Sequence, residues 1–264
     1  MQKFKPYRFK KLYLSNCIFE DSDSDSEVKI GYFNIQGFLE SNHAEYLDHD
    51  RNLLHLDLLV LSETWLTVNI SNKDIIKKLD NWKIVKRLDS TDNGKHMGLL
   101  LLIPNNKLGN LNLIFDMDYV EGYTDGNATL LYQGITINLN FIYKKMVFLY
   151  IRKTPSKSET TKIAERFHDF DCIMGDLNLN PKIAEQEHSL KKLCGKTKYL
   201  ALEEITTTKM NQLDHIILEK DISSYSFSTA YHNFASYHKS IVLRLASSNA
   251  KYRKEFKEGK HFNI

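Results

Sequence analysis

The amino-acid sequence predicts an α+β fold in which two β-sheets pack as a sandwich flanked by helices. Many short apolar runs of strand length recur along the chain, with few segments of helical spacing between them and no internal repeat. The chain contains four prolines and no long glycine-rich stretch, which favours a single domain. At 264 residues, such a domain is long enough to bury a large core.

Each predicted element follows from the local apolar pattern. A helix is predicted over residues 158–170, where Ile163, Ala164 and Phe167 share one face, and another over residues 189–194. The predicted strands span residues 28–35, 58–61, 82–87, 97–103, 111–115, 128–139, 146–151, 173–176, 213–218 and 241–245.

The two ends of the chain are predicted to lie outside the domain, which is expected to span residues 28–247. Residues 1–27 form a basic arm followed by an acidic linker in which aspartate alternates with serine, and residues 248–264 form a charged tail. The arm interleaves basic and aromatic residues, namely Lys3, Phe4, Lys5, Tyr7, Arg8, Phe9, Lys10, Lys11 and Tyr13. Such an arm either contacts phosphates and stacks on bases or docks on the domain itself.

Composition restricts the class of protein. Hydrophobic residues make up 42% of the chain and aromatic residues 11%, as in globular proteins. No apolar segment approaches the roughly 20 residues that span a bilayer, and the N-terminus lacks the apolar core of a secretory signal, so no membrane association is expected. Three scattered cysteines predict no disulfide framework and favour a reducing compartment, the nucleus or the cytoplasm. The net charge of +3 permits a polyanionic partner.

The most informative segment is Gly175-Asp176-Leu177-Asn178, at the end of a predicted strand. Because side chains alternate along a strand, Asp176 and Asn178 are expected to point the same way, and Gly175 allows a close approach. A carboxylate beside a carboxamide supplies a metal ligand and a hydrogen-bond donor, which suits a phosphate. The alternative is an ordinary turn, since both residue types are common turn formers.

Polar residues recur at the ends of other predicted strands. They form the segments Asn34-Ile35-Gln36-Gly37, Ser62-Glu63-Thr64-Trp65, Gln212-Leu213-Asp214-His215 and Ser236-Tyr237-His238-Lys239. Each segment alone fits a turn, a surface position or a packed loop. Together they supply what phosphodiester hydrolysis needs: Glu63 to hold a divalent cation, and His238 to move a proton while Asp214 orients its ring. The amides of Asn34 and Asn178 can donate hydrogen bonds to phosphate oxygens.

This ordered set of motifs resembles the endonuclease/exonuclease/phosphatase superfamily, which includes DNase I, the abasic-site endonucleases and the endonuclease domains of mobile elements. The Ser-Glu-Thr-Trp and Gln-Leu-Asp-His segments are most similar to the mobile-element branch, meaning non-LTR retrotransposons and endonuclease-bearing rolling-circle transposons. The resemblance covers about residues 28–245. It implies a four-layered α/β sandwich with two packed mixed β-sheets flanked by helices.

The resemblance also implies roles for the matched residues. Glu63 would be the main ligand of Mg²⁺, for which Mn²⁺ could substitute, and Asn34 would lie beside it. Asp176 would orient or deprotonate the attacking water, and Asn178 would bind the scissile phosphate.

The remaining implied roles concern proton transfer and substrate contacts. His238, paired with Asp214, would stabilise the phosphorane or protonate a nearby group. Tyr150 matches the phosphate-contacting tyrosine of the family, and Arg152 takes that position if the segment is shifted. One threonine among Thr206, Thr207 and Thr208, with Thr207 at the centre, would contact the DNA backbone.

Two residues depart from the family pattern. Gln36 stands where abasic-site enzymes carry a second acid, which speaks against an abasic-site activity. Tyr237 stands where the closing Ser-Asp-His motif of the family has an aspartate that helps to hold a metal. A phenol, with an ordinary pKa near ~10, is a poor replacement ligand, although its hydroxyl could bond a phosphate oxygen.

The sequence therefore predicts a Mg²⁺-dependent endonuclease that nicks DNA and leaves a 3′ hydroxyl, with RNA left open as a substrate. Two alternatives remain from the same reasoning. One is a catalytically weakened nucleic-acid-binding module that retains the fold, and the other is a phosphatase or phosphodiesterase of the same superfamily.

Overall fold

The computed structural model describes residues 27–40, 42–90, 96–107, 114–124, 129–139, 144–202, 204–222, 225–232 and 236–246. The predicted basic arm, the predicted linker except Glu27, and the predicted tail lie outside the described residues. The division of the chain at those points therefore stays a prediction.

The helices are α1 (His43–His49), α2 (Arg51–Leu54), α3 (Asn72–Ile76), α4 (Lys157–Arg166) and α5 (Ala184–Cys194). The strands are β1 (Glu27–Asn34), β2 (Leu58–Ser62), β3 (Trp82–Leu88), β4 (Leu99–Pro104), β5 (Ile114–Tyr123), β6 (Leu130–Leu139), β7 (Lys144–Ile151), β8 (Cys172–Asp176), β9 (Lys198–Leu200), β10 (Asp214–Glu219), β11 (Tyr225–Tyr231) and β12 (Lys239–Ala246). In the described part of the chain, every helix is too short or too polar to cross a membrane.

Within the described residues the strands form two mixed sheets of six strands each. The first sheet has the order β11-β12-β1-β2-β4-β3, and the second has the order β5-β6-β7-β8-β10-β9. Each sheet has a parallel pair at its centre, β1 with β2 and β7 with β8, and its other neighbours are antiparallel. This arrangement confirms the predicted sandwich of two mixed sheets.

Alternation along the strands sorts the apolar side chains into three buried layers. Val60 and Phe148 point between the two sheets and pack in the central layer. Leu59, on the opposite face of β2, packs with the residues of α1, α2 and α3. Val147, on the opposite face of β7, packs with Ile163 of α4. The order helices, sheet, sheet, helices gives the four layers, and each fully buried aliphatic side chain contributes about 1.5–3 kcal/mol.

The structure contains elements that the apolar pattern did not predict. α1, α2, α3, β9 and β11 were not predicted, β5 continues to Tyr123 instead of ending at residue 115, and α5 begins at Ala184 instead of 189. β5, β9 and β11 lie at sheet edges. An edge strand can expose polar side chains, as β5 does with Asp116 and Asp118, and this breaks the apolar run that predicts a strand.

The strand ends that carry the motifs meet at one edge of the sandwich, which we call the mouth. The parallel pairs β1–β2 and β7–β8 end there. β12 and β10 run antiparallel to β1 and β8 and therefore begin there. Asp214, the first residue of β10, is the register partner of Asp176, the last residue of β8.

Candidate active site

Asn34 lies at the centre of the mouth and joins two carboxylates. It is the last residue of β1 and is fully buried. Its Nδ2 donates to Oε1 of Glu63 at 2.9 Å and to Oδ2 of Asp176 at 2.8 Å. Glu63 follows β2 in the first sheet, whereas Asp176 ends β8 in the second, so one amide bridges the two sheets. The structure thus brings three predicted residues into direct contact.

A buried histidine–aspartate pair lies beside this group. Nδ1 of His238 donates to Oδ2 of Asp214 at 2.8 Å, and its Nε2 lies 3.8 Å from Oδ2 of Asp176. All three side chains are buried. Asp214 fixes the ring so that Nε2 faces Asp176, which is the orientation needed for proton transfer at that atom.

Burial and neighbouring charges shift the pKa values of this group. Burial, together with the Asp214 and Glu63 carboxylates, raises the pKa of Asp176 to about 8, against the opposing effects of His238 and of the Asn34 hydrogen bond. Burial alone would lower the pKa of His238, but the Asp214 carboxylate outweighs it and raises that pKa to about 9. His238 is therefore an imidazolium at neutral pH, and the site holds a proton close to Asp176.

Two tyrosine hydroxyls contact the residues that carry the carboxylates, one at the side chain of Glu63 and one at the backbone of Asp176. The hydroxyl of Tyr150 donates to Oε1 of Glu63 at 3.0 Å, which places this predicted residue in the site. The hydroxyl of Tyr32 accepts from the backbone N–H of Asp176 at 3.0 Å. Tyr32 was not predicted, although its position two residues before Asn34 on a strand puts both side chains on the same face.

The hydroxyl of Ser236 links the first strand to the histidine. Its Oγ donates to the carbonyl of Asn34 and accepts from the backbone N–H of His238. Sequence reasoning identified Ser236 only as part of a motif, because nothing local shows that it contacts a residue 202 positions away.

The backbone around the site adopts left-handed conformations at residues other than glycine. Gln36, Glu63 and Asn178, each just beyond a strand end, have φ values of 51°, 49° and 50°. Asparagine tolerates this region, but glutamate and glutamine rarely adopt it. Strained backbone of this kind collects at functional sites, where surrounding contacts hold side chains in set positions.

Asn178 contacts the backbone in this structure. Its Nδ2 donates to the carbonyl of Ile151 at 2.5 Å, and its N–H donates to Oδ1 of Asp176 at 3.0 Å. The side chain is half-buried at the mouth, one of its two amide hydrogens already used. Its role in binding the scissile phosphate stays a prediction.

The remaining predicted substrate contacts are Arg152, Thr207 and Tyr237. Arg152 is half-buried just beyond β7. Thr207 is fully buried, and its Oγ1 donates to the carbonyl of Asn211 at 3.1 Å, whereas Thr208 is exposed. Tyr237 is half-buried, and its ring centre lies 4.4 Å from that of His238. The roles of these residues in binding substrate stay predictions.

The chemistry of the site fits a divalent cation. Asn34 Oδ1 and Asp214 Oδ1 are buried and have no hydrogen-bond partner among the described residues. The carboxylates of Asp176 and Asp214 also lie close together, each with an oxygen within 4.8 Å of the other and of a ring nitrogen of His238, in the part of the chain that the structure describes. Mg²⁺ and Ca²⁺ prefer carboxylate and carboxamide oxygens, so Glu63 and Asn34, beside this group, are suitable ligands.

Comparisons with known proteins identify the fold. No family model matches the sequence, and no curated protein matches it. Among solved structures, AP endonuclease from Leishmania major has a TM-score of 0.62 at 12% identity, over 86% of this chain and 90% of that one. The endonuclease domain of TRAS1, a telomere-specific non-LTR retrotransposon, has a TM-score of 0.55 at 11% identity, over 84% of this chain and 99% of that one.

A third similar structure is a phosphatase domain. The inositol polyphosphate 5-phosphatase domain of synaptojanin, solved with inositol (1,4)-bisphosphate and calcium, has a TM-score of 0.52 at 10% identity, over 84% of each chain. Nucleases and phosphatases thus share this architecture of two packed mixed sheets. The chain has the DNase I-like fold, which these nuclease and phosphatase structures share.

Proposed function

We propose that the protein is a divalent-cation-dependent phosphodiesterase that nicks DNA and leaves a 3′ hydroxyl, as the endonucleases of mobile elements do. The observation that supports this most is the continuous buried row of Glu63, Asn34, Asp176, His238 and Asp214, in contact across both sheets. A row of acceptors, a carboxamide and an imidazolium matches the needs of an anionic phosphodiester attacked by water.

Each residue of the row has a defined task in this reaction. Glu63 and Asn34 would hold Mg²⁺, which when bound neutralises charge on the phosphate. Asp176 in its ionised form accepts a proton from the attacking water, and a pKa raised to about 8 makes this carboxylate a stronger base than that of an ordinary aspartate. His238 donates from Nε2 to a non-bridging oxygen, and Asp214 keeps the ring charged and oriented.

The reaction balances without a further reactant. Oxygen of water forms the new bond to phosphorus, the bond from phosphorus to the 3′ oxygen breaks, and the proton that water loses is matched by the one that the 3′ oxygen gains. The products are a 3′ hydroxyl and a 5′ phosphate.

DNA is favoured over small phosphates by features outside the row. The motifs resemble those of mobile-element enzymes, and the TRAS1 endonuclease domain is among the similar structures. The predicted basic arm, with its interleaved aromatic residues, suits a polynucleotide. These features support a DNA substrate, and a nuclear or cytoplasmic location agrees with it.

The first prediction tests this function directly. Wild-type protein with Mg²⁺ is expected to convert supercoiled plasmid to the open circle, and a chelator is expected to stop it. Glu63→Gln, which keeps the shape and removes the charge, should lower the rate at least about tenfold. Gel electrophoresis measures nicking, and polymerase extension from the nick reports the 3′ hydroxyl.

Other outcomes of that experiment have distinct meanings. Intact plasmid with every cation, together with release of phosphate from phosphomonoesters, would replace the nuclease with a phosphatase. Nicking that survives both the chelator and Glu63→Gln would show contamination or a cation-independent reaction.

The position of Tyr237 supports a second candidate, a nucleic-acid-binding module with weakened catalysis. Burial and the nearby Glu63 and Asp176 carboxylates raise the pKa of the Tyr237 hydroxyl, so the side chain stays neutral and is a poor ligand for a hard cation. The site therefore lacks the carboxylate that the family motif has at this position.

The second prediction restores that carboxylate. Tyr237→Asp is expected to lower the Mg²⁺ concentration for half-maximal nicking by about tenfold or more, because a charged oxygen ligand replaces a neutral one. Tyr237→Phe, which has no carboxylate, is the matched control and should not lower it. Equal cation dependence in both variants would mean that position 237 lies outside the cation site.

A further inference from the structure

We propose that Lys209 and Tyr237 form a subsite for a DNA phosphate that flanks the scissile one. The inference rests on the proposed DNA substrate but not on catalysis, because a flanking phosphate is bound whether or not the strand is cut. It gives this chain a specific use for the tyrosine that departs from the family motif.

The first observation is the stacking beside the catalytic histidine. The ring centre of Tyr237 lies 4.4 Å from that of His238, with 36° between the planes. The Nζ of Lys209 lies over the Tyr237 ring, 4.7 Å from its centre. One aromatic ring thus lies beside both the imidazole of His238 and the ammonium of Lys209.

The second observation is that the charge of Lys209 is available to a ligand. Lys209 is exposed, and among the residues that the structure describes it makes no ion pair. A cation–π contact at an exposed site contributes only about 0.5–1 kcal/mol, and it leaves the N–H donors of the ammonium free to bond an anion. Other lysines, such as Lys191, are paired with carboxylates.

The third observation is that the backbone holds Lys209 in place. Thr207 forms an antiparallel bridge with His238, and the N–H of Thr208 donates to the carbonyl of Tyr237 at 2.8 Å. The hydroxyl of Thr207 closes the turn through two 3.1 Å contacts with Asn211. The residue that precedes Lys209 is therefore bonded to the residue on which its ammonium packs, and the turn keeps the lysine at the mouth.

These distances limit how far the Lys209 ammonium lies from the His238 ring. The Lys209 ammonium can lie no farther from the centre of the His238 ring than the sum of its distance to the Tyr237 ring centre and the distance between the two ring centres. Each DNA strand carries one phosphate per ~3.4 Å of helix axis. A strand whose scissile phosphate contacts His238 therefore brings a neighbouring phosphate within reach of Lys209. The neutral Tyr237 adds no repulsion there, whereas the aspartate of the family motif would.

The subsite predicts how DNA binding depends on salt. Binding of a fluorescent duplex oligonucleotide, measured by anisotropy over a series of KCl concentrations with Ca²⁺ present, gives the slope of log affinity against log salt. Lys209→Ala is expected to reduce this slope by about 0.9, the value for one phosphate contact, and to weaken binding about tenfold. Lys209→Arg should retain the wild-type slope.

A change in the DNA identifies which phosphate is involved. Replacing single phosphates near the nick site by neutral methylphosphonates should weaken wild-type binding at one flanking position. The same replacement should have no effect on Lys209→Ala, because the charge pair is already lost. The matched control is Lys191→Ala, which removes one exposed positive charge from the late part of α5 and should bind both DNAs as wild type does.

The outcomes separate this inference from the proposed function. Wild-type protein that binds DNA with the predicted slope but does not nick would overturn the nuclease and keep the subsite. Suppose instead that the wild type nicks DNA, but Lys209→Ala keeps the wild-type slope of log affinity against log salt and the methylphosphonate effects add to it. That result would overturn the subsite and keep the nuclease. Failure to bind DNA, or binding of RNA alone, would overturn the subsite for DNA.

Discussion

Asp176→Asn is expected to abolish nicking and to stabilise the protein in the absence of divalent cations. Asparagine has nearly the same shape but accepts no proton from water, so the rate should fall about 10²- to 10⁴-fold. The stability gain arises because the Asp176 carboxylate is buried beside Asp214 and Glu63, which raise its pKa to about 8. Removing one of three close carboxylates relieves this repulsion.

The stability gain of Asp176→Asn should increase with pH. An aspartate of ordinary pKa ~3.9 in the unfolded chain and about 8 in the folded chain binds its proton more tightly when folded. The contribution of Asp176 to the free energy of unfolding therefore falls as the pH rises from ~4 to 8. The advantage of Asp176→Asn should be near zero below pH 4, grow through this window and level off above it. Thermal denaturation with a chelator present, at several pH values, measures it.

Asp57→Asn is the matched control and is expected to change stability in the opposite direction. Asp57 is also a buried aspartate, but its Oδ2 accepts from the N–H of Lys29 at 2.8 Å and its Oδ1 pairs with Lys107 at 3.8 Å. Asp57→Asn should destabilise the fold by about 1 kcal/mol and leave nicking intact. If Asp176→Asn lost stability like this control, the hydrogen bonds of the carboxylate would outweigh its repulsion, and retained nicking would exclude Asp176 as the proton acceptor.

Gly175→Ala should have the largest effect on folding. Gly175 has φ +154°, and a Cβ at this position would lie 1.9 Å from the carbonyl oxygen of Leu149 in β7. That atom is backbone of a central strand, paired with Gly134 of β6 at this residue, so it cannot move away without disturbing the sheet. The free energy of unfolding should fall by about 3–5 kcal/mol. Urea denaturation monitored by circular dichroism measures this change.

Gly195→Ala separates the clash from the cost of the backbone conformation. Gly195 ends α5 with φ +59°, also a left-handed value, but a Cβ there would meet no atom within 4 Å. Its loss should be smaller, about 1–3 kcal/mol, the cost of a non-glycine residue in a sparsely populated backbone region. Equal losses in the two variants would show that conformation, not the approach of β7, makes glycine necessary at position 175.

The sequence predicted the strand ends of the site because each is visible locally. A run of apolar residues followed by a polar segment marks Asn34, Glu63 and Asp176 without any knowledge of the fold. Which ends meet is a different question, because the Asn34–Asp176 hydrogen bond joins residues 142 positions apart. Only the order of the motifs, through their resemblance to a family, predicted that meeting.

Other parts of the site and the fold were hidden for physical reasons. Tyr32 could not be told from a core residue, because a tyrosine buried for packing and one whose hydroxyl forms a hydrogen bond in a site look the same in a sequence. The left-handed backbone at Glu63 is imposed by tertiary contacts against the preference of glutamate. The edge strand β11 was missed because its single strand neighbour leaves many of its side chains half-exposed, which weakens the apolar pattern.

Because Asn34 bridges the two sheets, the candidate active site forms only when the two sheets pack against each other. Glu63 and His238 lie next to the ends of strands β2 and β12 of the first sheet, and Tyr150, Asp176 and Asp214 lie in strands of the second, so neither sheet alone contains the whole candidate site. A state with both sheets formed but apart would therefore lack the assembled site. A cation held by ligands from both sheets would stabilise the folded protein, because it binds only when the two sheets are packed together.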